Sequence, residues 1–116
     1  MTLVHVPTGA VVASSVDMAL TRSDRRKGLL GRDSLESNAA MFIAPCIAIH
    51  TVGMEFPIDV AFIDASGRVV RLVHSLQPWR LAASFRGCAV VELAAGRLAE
   101  CGVNVGDRLS LTGKPC

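Results

Sequence analysis

Tyrosine is absent, and one Trp with four Phe make up the whole aromatic complement of this 116-residue chain. Proteins that hold single-stranded nucleic acid stack bases on aromatic rings along a basic groove, and so sparse a set offers no such platform. Charge of one sign is lacking as well. Twelve Lys plus Arg stand against ten Asp plus Glu, a formal +2, which is too weak a field to attract a phosphate backbone. No nucleic-acid partner is expected. Ten of the twelve basic residues are Arg; that preference suits carboxylate or phosphate recognition, but a biased genomic base composition produces it equally.

Long hydrophobic runs are missing too. The longest, Ala39 to Ile49, has eleven residues and contains Pro45, whereas a spanning helix needs roughly 20, so no membrane span is expected. Met1 to Leu20 has no Lys or Arg and includes His5, Pro7, Gly9 and Asp17, unlike a secretory leader. A cytoplasmic location is the expectation. Cys46, Cys88, Cys101 and Cys116 form no Cys-x-x-Cys pair, which removes the zinc-knuckle and thioredoxin-type readings; free thiols are expected, with Cys116 on a mobile tail. The chain also has no Gly-rich phosphate loop, no Gly-x-Ser-x-Gly elbow, no His-Glu-x-x-His pair and no internal repeat, so familiar hydrolase, nucleotide-binding and solenoid classes lose support.

What is present is enough apolar material for one core. Half the residues are hydrophobic (51%) and 19% are charged, as in a chain that folds as a single domain over residues 1–116. Leu3–Val6 and Val11–Ser15 predict a hairpin across Pro7-Thr8-Gly9. Thr21 or Ser23 can cap a short helix, Arg25–Leu30, weakened by Gly28 and ended near Gly31. Ala40–Ile43 and Ile47–Thr51 read as strands on either side of Pro45. Ile58–Ile63, the turn Asp64-Ala65-Ser66-Gly67 and Arg68–Val73 make the clearest hairpin, with Ile58, Val60 and Phe62 opposite Asp59, Ala61 and Ile63. Cys88–Leu93 is a further strand, Gly96–Cys101 a brief helix and Arg108–Thr112 a last strand. The fold class is mostly β: a barrel or a sandwich-like arrangement with two short helices.

The stretch from Ile49 to Asp64, Ile-His-Thr-Val-Gly-Met-Glu-Phe-Pro-Ile-Asp-Val-Ala-Phe-Ile-Asp, resembles the centre of the bacterial and archaeal family called domain of unknown function 192. Arg25-Arg26-Lys27-Gly28-Leu29-Leu30-Gly31-Arg32 is similar to its Arg-x-x-Gly-Leu-x-x-Arg region. Pro78-Trp79-Arg80 fits a Pro-containing turn, and Val91-Glu92-Leu93-Ala94-Ala95-Gly96 with Gly102 and Gly106-Asp107 fits its ending. The likeness runs from about Thr21 to Leu111. Many relatives carry an aromatic-Trp-Met motif followed by Asn-Thr where this chain has Ile49-His50-Thr51 and Met54, so a role resting on that Trp does not transfer. The resemblance implies a compact mostly-β fold with small helices and no assigned activity.

Polar residues set in apolar sequence mark the candidate site between Pro45 and Asp64. His50, with Cys46 before it and Asp59 after it, offers imidazole, thiolate and carboxylate, all competent metal ligands, but the spacing equally fits a core histidine held by backbone or by Asp59. Asp59 lies between Ile58 and Val60 and needs a partner when buried: His50, Thr51, an Arg of the 22–32 segment, or turn amides. A structural Asp joining strands outweighs a catalytic one. Glu92, within Val90-Val91-Glu92-Leu93, is expected to pair with an Arg. Arg25 and Arg32 belong to the one basic cluster and can meet an anionic ligand, although a solvated, internally paired face explains them too. Trp79 either caps the core or stands exposed, and Met54 suits packing or a pocket rim.

The reading these residues favour is a non-enzymatic binding or accessory domain. Its candidate ligand-binding residues are His50, Thr51, Met54, Asp59, Arg25, Arg32, Trp79 and Glu92, its partner an unidentified small molecule or protein, and no cofactor or resident metal is expected. The alternatives are a small hydrolase-like enzyme on a polar or carbohydrate substrate, using Asp59 or Glu92 with His50, and a metal-binding domain. Oligomeric state is not legible.

Overall fold

Aliphatic runs cut by Gly, Pro and Asp turns give ten strands and two helices among the described residues, 1–113, of the computed structural model. In chain order these are β1 (Thr2–His5), β2 (Ala10–Ala13), β3 (Ser15–Ala19), α1 (Arg22–Lys27), β4 (Ala39–Ile43), β5 (Ala48–His50), β6 (Ile58–Ile63), β7 (Val69–Leu76), β8 (Leu81–Ala83), β9 (Ala89–Ala94), α2 (Arg97–Glu100) and β10 (Leu109–Thr112). Cys116 lies outside the described residues. Cys46, Cys88 and Cys101 are unpaired with one another, and no described helix is long and apolar enough to cross a membrane.

The strands form a five-stranded sheet in the order β3-β4-β9-β6-β7, a three-stranded sheet β10-β1-β2 and a small β5-β8 pair. β3 and β4 run parallel, and the other pairs are antiparallel. The large sheet stays open, with β3 and β7 at its edges. The sandwich-like expectation therefore holds and the barrel does not, because no pairing joins the two edge strands. A radius of gyration of 12.7 Å is what a packed chain of this length adopts.

β6 and β9 are apolar at nearly every position and are buried on both faces, as strands at the centre of a covered sheet must be. One face carries Ala61, Ile63, Val91 and Leu93, packed with Leu3, Val12, Leu98 and Leu109 beneath the three-stranded sheet. The other face carries Ile58, Val60, Phe62 and Val90, packed with Met41, Ile43, Ile49, Met54 and Leu29 under β5, β8 and the segment following α1. The pairing Val60↔Glu92 and Asp59↔Leu93 fixes which acid goes to which side. Asp59 joins the first face and Glu92 the second.

The β6–β7 hairpin forms where the sequence places it. Asp64 Oδ1 accepts from Ser66 Oγ (2.7 Å), Ser66 N (2.9 Å) and Arg68 N (3.0 Å), and hydrogen bonding led by the Ser66 hydroxyl holds the Asp64 carboxyl below its ordinary value. Gly67 has φ +86, and a Cβ there would lie 2.5 Å from the Leu109 carbonyl, so only glycine lets this turn pass β10. The first helix departs from expectation. Thr21 caps it by accepting from Asp24 N (3.1 Å), but it ends at Lys27 because Gly28, at φ +47, turns the chain. Gly28 is thus a terminator rather than a weak interior residue.

Candidate functional site

Strand β4 ends at Ile43, and residues 44–47 carry the chain out of the large sheet to β5, which pairs only with β8. That departure leaves a gap between β5, the last turn of α1 and the second face of the large sheet. The result is an open cleft of about 430 Å³, within the roughly 300–1,000 Å³ typical of small-molecule sites. Ile43, Ile49, Met54 and Leu29 give it apolar walls; Arg25, Arg26, Lys27, Cys46 and His50 stand around it, and Glu92 lines its floor.

Glu92 is the unusual member. It is 3% exposed and lies between Met41 on β4 and Val60 on β6. No hydrogen bond or ion pair reaches its carboxyl among the described residues; the Arg partner expected for it is not there, because the ion pairs formed are His5–Asp107, Arg32–Asp17 and Arg97–Glu100. Each fully enclosed side-chain oxygen and nitrogen does have a partner, so the Glu92 oxygens keep their access to the cleft. Oε1 sits 3.6 Å from where a Cβ of Gly28 would be, which places the turn after α1 directly over it. Burial pushes this carboxyl up from 4.5 to about 7, since desolvation disfavours the charged form.

Cys46 donates from Sγ to the Ala48 carbonyl (3.1 Å). Burial, reinforced by the nearby Glu92 and opposed by the Ala48 hydrogen bond and Arg25, raises its thiol above the ordinary value, which keeps it from acting as a ready nucleophile. His50 is exposed at the cleft margin, its Nδ1 accepting from Val52 N (3.3 Å). Arg25 donates one guanidinium N–H to the Leu20 carbonyl (2.8 Å) and keeps its other donors.

Of the residues expected from sequence, His50, Met54, Arg25 and Glu92 come together at the cleft, and Thr51, Asp59, Arg32 and Trp79 do not line it. Fully buried Thr51 donates from Oγ1 to the Gln77 carbonyl (2.7 Å) and accepts from Arg80 N (2.8 Å), pinning the loop that carries Trp79. Trp79 does not cap the core: it is 66% exposed, at φ +64. Arg32 pairs with Asp17 at 2.9 Å. Asp59 accepts from Ser75 N on β7 (2.8 Å) and from Leu98 N in the first turn of α2 (3.0 Å), so backbone amides, not His50 or an Arg, are its partners. The carboxyl serves as a distant cap for a helix whose own N-cap is Gly96. Asp59 and Glu92 lie on opposite faces of the sheet, which rules out their acting as an acid/base pair. No group of three His, Cys, Asp or Glu side chains among the described residues could hold a metal ion; the trio Cys46, His50 and Asp59 fails because Asp59 faces away.

Sequence reasoning missed His5. It is 2% exposed, with Nδ1 on Thr8 Oγ1 (2.8 Å) and Nε2 on Asp107 Oδ2 (2.7 Å). It ties the β1–β2 turn to the turn before β10, and the bond from His5 holds the Asp107 carboxyl low. Nothing local in the sequence marks this role, because the partner Asp107 is 102 residues away. A second cavity, about 550 Å³, is lined by Leu3, Phe42, Ile63 and Leu111 along with Asp64. Asp64 is consumed by its own turn, and the other polar groups lining this space are Ser66, Cys88 and Ser110, none of them a buried carboxyl like the one in the cleft over Glu92.

Comparison with known structures finds a protein of unknown function from Novosphingobium aromaticivorans DSM 12444 at 22% identity and TM-score 0.81, covering 95% of this chain and 82% of that one. A protein named as a proposed transcription regulator, from Sinorhizobium meliloti 1021, aligns at 24% identity and TM-score 0.81, covering 94% and 89%. Both are similar in fold. Comparison with curated proteins gives no match. The sequence profile of the family described as an uncharacterised ACR, domain of unknown function 192, matches residues 4–111, nearly the whole β framework and all of the cleft, and the chain belongs to that family.

Proposed function

We propose that this protein is a non-enzymatic binding or accessory domain that takes a small molecule in the cleft between β5, the end of α1 and the large sheet. The observation that carries this reading is Glu92, a carboxyl almost wholly removed from water, without a partner among the described residues, opening on a concave space. Burying such a group without a hydrogen bond costs free energy, and a chain that keeps it there gains when a visitor satisfies it. Catalysis has less support: Cys46 is a poor nucleophile, and Asp59 is committed to backbone amides on the far face. The regulator role named for the Sinorhizobium protein is compatible with a ligand-responsive domain, but a likeness of 24% concerns the fold.

Methionine methyls supply the test. Of the four Met residues, Met54 forms a wall of the cleft and is buried, whereas Met1 is exposed. With 13C-methyl-methionine protein, a set of small fragments bearing amine, carboxylate and neutral polar groups is expected to shift Met54 and leave Met1 unmoved, and Ala48→Trp, at the exposed margin of the cleft, should abolish the shift. If no fragment moves Met54, the cleft is not a binding site.

A further inference from the structure

The cleft is electrically two-ended. Its floor is the lone carboxyl of Glu92. Directly beyond Gly28, which lies over that carboxyl, Arg25, Arg26 and Lys27 occupy the last turn of α1 and line the same space. None of the three takes part in an ion pair among the described residues. Asp24, on the same helix, does not line this cleft, and the other polar side chains facing Glu92 are Cys46 and His50. Ile43, Ile49 and Met54 line the remainder of the space.

Resting on the binding reading above, we propose that the ligand is a small amphoteric molecule: its amino group reaches the Glu92 carboxyl, its acid group meets the Arg25–Lys27 rim, and a short aliphatic part lies on Ile43, Ile49 and Met54. A simple anion would satisfy the rim and leave the buried carboxyl unmatched. A simple amine would have to pass three cations with nothing to offset them. A molecule carrying both charges a few atoms apart answers both ends, and charge-assisted hydrogen bonds in a partly desolvated cleft are the strong kind. Because Glu92 takes up a proton at about pH 7, an arriving ammonium displaces that proton, and capture strengthens as pH rises from 5 to 7. His50 and Cys46 also line the cleft, so the Glu92 variant is needed to assign the pH dependence to the carboxyl.

Norleucine, pentylamine and hexanoate are the probes, since pentylamine is norleucine without its carboxylate and hexanoate is norleucine without its amine. Titration of 13C-methyl-methionine protein at pH 7 is expected to shift Met54 with norleucine at an affinity at least about tenfold above either single-ended probe. Glu92→Gln should weaken norleucine at least about tenfold and flatten its pH dependence while leaving hexanoate unchanged; Arg25→Gln, on a helix with no buried residue, should weaken norleucine and hexanoate alike. Norleucine binding no tighter than hexanoate, or untouched by Glu92→Gln, overturns the proposal. Should all three probes fail while neutral fragments still shift Met54, the amphoteric ligand is refuted and the binding domain stands; silence from every fragment refutes both.

Discussion

Replacing Glu92 by Gln should make this protein more stable, and only above a particular pH. The residue is 3% exposed and takes part in no ion pair among the described residues, and burial lifts its carboxyl from 4.5 to about 7. Between those values the folded chain holds a proton that the unfolded chain has released. Stability therefore falls as pH rises through that window, because the native state binds more protons. The whole contribution is present below about pH 4.5 and is lost once pH passes about 7. At about 1.4 kcal/mol for each tenfold change in proton affinity, the loss amounts to about 3 kcal/mol. A glutamine has nearly the same shape and carries no charge, so its burial carries no cost that grows with pH. Urea unfolding followed by far-UV circular dichroism at intervals from pH 4 to pH 8 reads the difference directly. The two proteins should unfold together near pH 4 and separate to roughly 2 M in midpoint by pH 8, given the usual denaturant dependence for a chain this size. Asp64 and Asp107 are both held below 3.8, so their contributions appear above the ordinary value and vanish only as pH drops beneath it, outside the window. Curves that run parallel from pH 4.5 to pH 7 would mean that the Glu92 carboxyl is well solvated or already partnered, and the argument for the cleft would lose its foundation.

Much of the fold was legible, for reasons that also explain the gaps. The hairpin of Ile58–Ile63 with Val69–Leu76 announces itself through alternation and an Asp-Ala-Ser-Gly turn. β9 and β10 follow from apolar runs bounded by Gly. β3 was overlooked because Ser15 and Asp17 interrupt it and its partner β4 runs parallel, a pairing that leaves no local turn to find. β8 is three residues long, too short for any period. The site was half legible. That Asp59 and Glu92 are acids trapped in strands can be read directly, but which has a partner depends on contacts far along the chain: Leu98 N is 39 residues from Asp59, whereas the ion pairs formed among the described residues do not include Glu92. His50 misled in the opposite sense. Apolar neighbours suggested the interior, yet they belong to a three-residue strand in a peripheral pair, where alternate positions face out. Its exposure means that His50 and Asp59, expected as a possible pair, never meet.

Three further outcomes separate structural from site residues. His50→Ala should leave stability within about 0.5 kcal/mol in thermal or urea unfolding, as surface substitutions do. Gly67→Ala should destabilise by several kcal/mol, since its Cβ would meet the Leu109 carbonyl at 2.5 Å with φ +86; a Tm within 2 °C of the parent would refute that close approach. Asp59→Ala sets the sharpest contrast with Glu92→Gln. Two backbone donors, Ser75 N and Leu98 N, lose their acceptor, Leu98 is itself fully buried, and at about 2 kcal/mol for each stranded donor the cost is about 4 kcal/mol. Because the lost bonds tie β7 and α2 to β6, amide hydrogen exchange should accelerate most at Ser75 and Leu98, ahead of the cleft residues. One carboxyl removed from the first face should thus loosen the protein, whereas the other, neutralised on the second face, should tighten it. Two acids on neighbouring strands with opposite signs of effect are the consequence of one having its hydrogen bonds and the other waiting for them, and the same sign from both would remove that distinction.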